Sequence, residues 1–262
     1  MAVEDVPPAV GRLWRLQSDS RLGRRAELDI DRIVRMAVGL ADRDGLVAVT
    51  LSRVAKELGF TTMSLYRHVG SKDELYVLMG DLVLGTPPAI ETAGWRDGLR
   101  QWAVAERRLH GTHPWLAQLP ISGPPTGPHA TAWLDAGLRV LRGTGLDWGA
   151  KLGVLTVLSG YVRSSARQSL ELAAGRAGTG RDAAEVARSY GRTLARLVDA
   201  ERFPEAAELF GSDLFETAPA RPATAPTEID RGFTFGLELI LDGVANAVDT
   251  TRQCKGARCD TQ

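Results

Sequence analysis

Residues 50–76 read TLSRVAKELGFTTMSLYRHVGSKDELY, and this one window holds two short amphipathic helices separated by a tight turn. Leu51, Val54, Ala55 and Leu58 recur at i, i+3, i+4 and i+7, which places four apolar side chains on one helix face. Thr50 offers a hydroxyl N-cap. Gly59 follows the last apolar position, where a left-handed residue ends a helix at least cost, so the chain turns sharply before Phe60. A second helix starts at once, capped by Thr61 or Thr62, with Leu65 and Val69 facing inward and Gly70 ending it after about two turns. Its remaining side chains, Thr62, Ser64, Tyr66, Arg67 and His68, have little hydrophobic work and point outward. Ser71 followed three residues later by Glu74 is a capping-box pattern, which starts a third helix through Leu75, Leu78, Met79, Leu82 and Val83. Helix, turn, short helix, new helix is a helix-turn-helix layout.

The run from Ile30 to Val83 resembles the DNA-binding domain of the TetR family of bacterial transcriptional repressors. Asp29 stands where that family caps its first helix, and Ile30, Ile33, Val34, Ala37, Leu40 and Ala41 give its buried stripe. ADRDGLVAVTLSRVAKELGF and TMSLYRHVGSKDEL follow the family pattern without a gap. The resemblance implies a DNA-binding domain over residues 28–80, with Thr50 and Arg53 near the operator and Lys72 on phosphate. It places Thr62, Ser64, Tyr66 and His68 in or beside the major groove. Arg67, on the same helix, stands where relatives often carry an aromatic residue. Arginine and threonine suit base edges, whereas a tyrosine hydroxyl, a histidine or a lysine at a helix N-terminus more often holds phosphate and sets register. The alternative for each of these side chains is a solvated helix face.

Whole-chain charge argues neither way, because 32 basic and 32 acidic residues cancel. Distribution matters more: between Gly11 and Lys72 twelve basic side chains face seven acidic ones, a local surplus of five. A dimer doubles that surplus, and counterion release then makes DNA affinity fall with added salt. Residues 1–27 read as a flexible basic arm, broken by Pro7, Pro8, Gly11 and Gly23, in which Arg21, Arg24 and Arg25 come just before the first helix. Arginine arms beside a helix-turn-helix enter the minor groove, where negative potential is concentrated, and some longer TetR-type regulators of antibiotic exporters look similar. Two other readings of the leader stand beside this one. It is either a segment whose arginines only keep it soluble, or, in GRLWRLQSDS with Leu13, Trp14 and Leu16, a brief helix that docks elsewhere.

The 262 residues, 44% of them hydrophobic, suffice for a small reader plus one larger domain over 81–262. No stretch approaches the roughly 18 apolar residues of a membrane span, and the start lacks the apolar core of a signal peptide, so a cytoplasmic protein without a membrane partner is expected. Cys254 and Cys259 supply at most half a tetrahedral zinc site and read as free tail thiols rather than a metal site or redox switch. Neither metal nor cofactor is expected. The 28 arginines against 4 lysines, with abundant alanine and glycine, suggest a high-GC genome.

Beyond Val83 helical periodicity continues, with breaks at GTPP, PISGPPTGPH, AAGRAGTGR and ETAPARPATAPTE and no strand-like alternation. Helices are expected over 95–110, 130–143, 148–173, 182–199, 205–210 and 228–250. The fold class is therefore all-α, a three-helix reader followed by a larger helical domain. HPWL, GYVRSSARQS, ERFPE and FTFGLELILDGV resemble landmarks of the ligand-binding and dimerisation domain in the tetracycline-repressor branch of the family. In the last helix Ile229, Phe233, Leu237, Ile240, Leu241, Val244 and Val248 spread apolar surface over more than one stripe. Relatives pair that helix with the one around Leu152 to Leu170 in a four-helix bundle between subunits, and a two-fold dimer matches a pseudo-palindromic operator. The alternative is burial wholly within one subunit.

Trp102, Glu106, His113, Trp115, Trp133 and Tyr161 are candidates to line a cavity for a hydrophobic inducer, a polycyclic natural product or drug among them. Ordinary core packing is the competing role for each tryptophan. His110 and His113 lack a third metal ligand, and His113 reads instead as a hydrogen-bond partner of the ligand or as a helix-end histidine. The resemblance implies a ligand-released repressor that binds operator DNA as a homodimer and controls an efflux or metabolic gene. Two alternatives are a TetR-type regulator without ligand response and one acting as an activator. An enzyme is disfavoured, since the chain shows no phosphate loop, nucleophile elbow or metal-ligand cluster, and catalytic residues are expected to be none.

Overall fold

The computed structural model describes residues 6–16, 28–91, 94–121, 123–177, 180–216 and 228–259, with side chains of the last helix over 231–253. Eleven helices are described: α1 (Pro8–Leu13), α2 (Ile30–Asp44), α3 (Leu51–Leu58), α4 (Thr62–Val69), α5 (Lys72–Leu84), α6 (Trp95–Thr112), α7 (Pro128–Val140), α8 (Trp148–Ala177), α9 (Ala183–Leu197), α10 (Pro204–Gly211) and α11 (Glu228–Cys259). Short 3-10 turns occupy Leu46–Ala48, Pro114–Gln118 and Asp213–Phe215. No strand occurs among the described residues, and the all-α class read from the sequence is the one observed.

The helix starts follow from side-chain caps. Asp29, Thr50, Thr61 and Ser71 accept from the backbone N–H three residues on, at 2.6, 3.1, 3.3 and 3.1 Å, each satisfying a donor that the first helical turn leaves free. Thr61, not Thr62, is thus the cap of α4. Gly59 ends α3 in the left-handed region at φ 78°. Gly70 ends α4 at φ 64°, a positive φ that favours glycine.

Residues 1–167 together with 233–262 form one compact unit, and residues 168–232 form a second. The first unit contains two apolar cores. One gathers the buried faces of α2 to α5, including Ile33, Leu40, Val54, Leu65, Val69 and Leu75, with Leu13 of α1 and with Trp115, Leu116 and Leu119 after α6. Truncating a buried leucine such as Leu65 costs about 2–5 kcal/mol. The other core joins Leu99 and Trp102 of α6, Trp133 of α7, Leu155, Leu158 and Val162 of α8, and Phe233, Leu237, Leu241, Val244 and Val248 of α11. Leu109 packs against both. In the second unit Tyr190 of α9 meets Phe210 and Phe215 edge-on at 5.5 and 5.7 Å, and Arg192 holds Glu216 in a two-point ion pair at 2.7 and 2.8 Å.

Polar contacts fix α6 against α11. Arg96 donates to Glu238 at 2.7 Å and Asp242 at 2.6 Å, and Arg100 donates to Glu238 at 2.7 Å and Asp97 at 2.5 Å. Hydrogen bonds from Arg100 and then Arg96 pull the Glu238 carboxyl from 4.5 to about 2. A depressed carboxyl stabilises the fold above its unfolded pKa, and the contribution disappears as pH falls from 4.5 through about 2. Glu238→Gln should therefore lower the thermal midpoint at pH 7, and the gap from the parent should close over that acid window. Parallel midpoint curves down to pH 2 would remove Glu238 from the account.

Candidate functional site

Helix α4 buries only Leu65 and Val69, and its opposite surface is exposed: Met63 at 69%, Tyr66 at 46%, and Arg67. Residues i, i+3 and i+4 share a helix face, so Met63, Tyr66 and Arg67 form one outward strip. Thr62, Ser64 and His68 flank it half-buried, and the Ser64 hydroxyl lies 2.9 Å from that of Thr61, within the cap. Sequence reasoning missed Met63. Its position off the Leu65 and Val69 stripe was the available signal, and an apolar side chain there can meet a thymine methyl.

Around α4, Thr50 caps α3 and lies 3.1 Å from the Ser52 hydroxyl. The Arg53 guanidinium is held by Asp44 at 2.5 Å, so any contact with DNA must compete with that pair. Lys72 is exposed at the start of α5 with its ammonium 5.2 Å from the Tyr76 ring centroid. Arg21, Arg24 and Arg25 lie outside the described residues.

The leader before them is docked at α1. Leu13 is buried in the reader core, and Arg12 holds Glu74 through two nitrogens, the second at 2.7 Å. Arg15 donates to Asp31 at 3.0 and 2.5 Å, and the Trp14 indole N–H reaches the Thr126 carbonyl at 2.7 Å. The capping-box glutamate is thereby taken by the leader, while Ser71 accepts from the Glu74 backbone N–H.

The six aromatic and polar residues read from the sequence as cavity lining fall into two places. His113 and Trp115 join the reader side, where one oxygen of Asp42 in α2 meets His113 Nδ1 at 2.7 Å and accepts from Trp115 Nε1 at 2.6 Å. Trp102, Trp133 and Tyr161 belong to the second core. Both indole donors are engaged there, Trp102 to the Trp133 carbonyl at 3.1 Å and Trp133 to the carbonyls of Leu84 and Gly85 at 3.0 and 3.2 Å. Tyr161 stacks on Phe233 with centroids 5.5 Å apart and donates to its carbonyl at 2.9 Å. Glu106 accepts from Ser159 at 3.1 Å, and burial raises its carboxyl to about 7.

Three residues beside Glu106 escaped the sequence reading as site residues. His110 is 7% exposed, its Nδ1 has no hydrogen-bond partner, and burial followed by the fields of Arg163 and Arg107 lowers it to about 4. Arg163 donates to the Leu119 carbonyl, and desolvation lowers its pKa. The Arg107 guanidinium lies 5.4 Å from the Phe233 ring centroid. A separate cleft of about 830 Å³, between the segment at 86–95 and the end of α7, includes none of these residues. Among the described residues, no group of three or more His, Cys, Asp or Glu is placed to hold a metal ion.

Two family models match the chain. "Bacterial regulatory proteins, tetR family" covers residues 33–79 and "Tetracyclin repressor-like, C-terminal domain" covers residues 87–248. The chain is 33% identical over 247 residues to the HTH-type transcriptional repressor DrrR1 of Streptomyces coeruleorubidus, covering 92% of this chain and 86% of that protein. It is 33% identical over 160 residues to an HTH-type transcriptional regulator of Saccharopolyspora erythraea, covering 60% of this chain and 67% of that one. Among solved structures, ActR of Streptomyces coelicolor in complex with actinorhodin superposes with a TM-score of 0.69 at 29% identity, over 85% of this chain and 98% of that one. ActR in complex with (S)-DNPA gives 0.66 at 30% identity, over 85% and 100%.

The docked leader generates a stability test. Glu74 is 12% exposed and Arg12 20%, so removing the guanidinium strands a largely buried carboxylate, at a cost of about 1–3 kcal/mol. Urea unfolding of Arg12→Ala should show that loss, and the double variant with Glu74→Gln should recover part of it. An unchanged midpoint in the single variant would mean that α1 contributes nothing to the reader.

Proposed function

The chain belongs to the TetR family of bacterial regulatory proteins, and from that premise we propose that it is a ligand-responsive transcriptional repressor acting as a homodimer on a pseudo-palindromic operator. The observation that carries the reading is the α3–α4 pair, capped at Thr50 and Thr61, turned at Gly59 and presenting a polar and Met63-bearing surface that the core does not use. In this reading residues 28–80 are the reader, 81–262 the effector and dimerisation part, and 1–27 a basic leader. The protein acts in the cytoplasm, and no described helix is long and apolar enough to cross a membrane.

On the operator, Met63, Tyr66 and Arg67 enter the major groove with Thr62 and Ser64 beside them. Thr50, His68 and Lys72 hold phosphates, and Arg53 exchanges Asp44 for DNA. Arg21, Arg24 and Arg25 reach the adjacent minor groove from the point where α1 is fastened. Dimerisation uses α8 and α11, whose apolar side chains outside the core support it: Trp148 is 73% exposed, Leu152 52%, Phe235 69% and Leu239 57%. A large apolar surface of this kind is suited to a second subunit.

The effector site lies in the second core, with Glu106 and Tyr161 as polar groups and Trp102 and Trp133 as walls. A hydrophobic small molecule entering it displaces α7, and α5 carries the motion to the reader because Asp81 and the Leu84 carbonyl tie α5 to α7. Asp42, clamped to His113 and Trp115, gives the reader a second attachment. Operator and effector then oppose each other by equal factors. The ActR complexes with actinorhodin and (S)-DNPA support a small-molecule effector. An efflux or metabolic gene beside this one is the proposed target.

Mobility-shift titrations against the gene's own promoter test the reader. Tyr66→Phe with Lys72→Ala should weaken binding about tenfold or more and flatten the logarithmic salt dependence by about two for a dimer, about one per lost phosphate contact in each subunit. Sedimentation should still show a dimer, and full promoter affinity in this variant would count against the assigned contacts. The arm is tested separately by replacing Arg21, Arg24 and Arg25 with alanine while α1 stays docked. Affinity should fall several-fold, as it should on deletion of residues 1–25; no loss in the triple variant would reduce the leader to its docked helix.

A further inference from the structure

The seam between α6 and α8 carries polar groups where the surrounding core is apolar. Ala103, Glu106 and His110 share a face of α6, and Ser159 and Arg163 share a face of α8 one turn apart. Ser159 bridges to Glu106 at 3.1 Å, and Arg163 spans the seam to the Leu119 carbonyl. Trp102, Leu155, Leu158 and Val162, all buried, flank the group. His110 is more than nine-tenths buried and its Nδ1 has no partner, which is rare because a buried polar atom without a hydrogen bond loses its hydration without replacement.

The sign of the charge at this seam narrows what can complete it. Arg163 has lost solvation and feels Arg167, and Glu106 is the carboxylate that opposes these effects. Glu106 is itself pushed up to about 7 by burial, so at neutral pH its protonated form is well populated and the compensation for Arg163 is incomplete. His110 is neutral there, held down to about 4, and a neutral imidazole can present Nδ1–H as a donor. A cationic molecule would meet Arg163 and Arg107. A neutral acceptor could take hydrogen bonds from both but would leave the Arg163 charge unbalanced. An oxyanion satisfies both His110 and Arg163 through charge-assisted hydrogen bonds.

We propose that this seam is the acid-binding end of the effector site, which takes an apolar molecule bearing a carboxylate, sulfonate or ionised phenol, its oxyanion received by Arg163 and His110. The assignment rests on the ligand-responsive reading above and gives the ligand class of that site. Glu106, which accepts from Ser159, lends Arg163 only a through-space field in the free protein, and the entering anion adds a direct pair. The apolar body of the ligand lies toward Trp102 and Leu158.

Two probes that share one skeleton test it on the full-length protein at neutral pH: 8-anilinonaphthalene-1-sulfonate, and N-phenyl-1-naphthylamine, which lacks only the sulfonate. The sulfonate should bind saturably with about tenfold or greater preference over the neutral probe, the worth of one charge-assisted hydrogen bond. Arg163→Met should remove most of that preference and His110→Phe about half of it on a logarithmic scale, while Arg163→Lys should retain most of it. Should the methionine variant fail to fold by circular dichroism, the parent preference and the lysine and phenylalanine variants decide. Equal affinities in the parent, a preference indifferent to Arg163 and His110, or no saturable sulfonate binding would each overturn the proposal. Promoter release separates the two readings. Release by the neutral probe with no sulfonate preference leaves the repressor standing and removes the acid site. An Arg163-dependent preference with no effect of either probe on promoter binding does the reverse.

Discussion

Asp81 is a carboxylate buried in the middle of α5, 8% exposed, and the arrangement of the first compact unit depends on how that charge is satisfied. Burying an ionised group without partners is prohibitive, so the chain must bring donors to it. They come from the start of α7: the Ala130 N–H at 2.9 Å, the His129 N–H at 3.5 Å and the His129 ring Nδ1 at 3.2 Å. Asp81 thus serves as a cap supplied from another helix, placed where the N-terminal dipole favours negative charge. Gly127 completes the fit, since a Cβ there would run into the Asp81 carboxylate. Because α5 also contributes Leu75, Leu78 and Met79 to the reader core, one helix belongs to the reader by its apolar face and to the larger helical part by its charge.

The other end of α5 repeats the logic with a different donor. Its C-terminal carbonyls at Leu84 and Gly85 lack intrahelical partners, and the Trp133 indole is shared between them. Trp133 also stands edge-on to Trp102, with centroids 5.9 Å apart, and receives that residue's indole N–H on its own carbonyl. These two tryptophans are therefore fasteners as much as apolar bulk. A ligand in the proposed effector site would rest against groups that already hold α5, and would thereby bias the packing of the reader core.

Much of this was legible in the sequence. The caps at Asp29, Thr50 and Ser71, the glycine stop at Gly59 and the inward stripe of α2 to α5 are local features written in residue type and spacing, and local features survive folding. The large-domain helices emerged close to their expected bounds for the same reason, with Asp182 capping α9 and Pro204 opening α10. The HPWL stretch folds into a 3-10 turn, and the last helix runs on to Cys259 through a segment that the sequence reading treated as tail. What spacing cannot show is partner choice over long separations. Nothing local says that Glu74 pairs with Arg12, that Asp42 takes both His113 and Trp115, or that Trp115 packs with the reader while Trp102 does not. The grouping of His110 with Arg163 is of this kind, because it requires two helices to be laid together before either residue acquires its environment.

The proposed acid site adjoins the reader core. Arg163 donates to the carbonyl of Leu119, and Leu119 is itself a buried member of the reader core. Leu109, next to His110 on α6, packs against both cores. Contact alone transmits nothing, since an effector shifts an equilibrium only by binding one arrangement more tightly than another. In the proposed acid site an anion drawn to Arg163 would supply that difference only by pairing with the guanidinium better in one arrangement of the reader than in another. The free protein uses the arginine to hold the segment after Trp115 in place, and the guanidinium keeps further donors for a ligand beside that carbonyl. Because Leu119 belongs to the reader core, the guanidinium that would receive the anion already touches that core, and no continuous path of moving residues is needed for binding at one to bias the other.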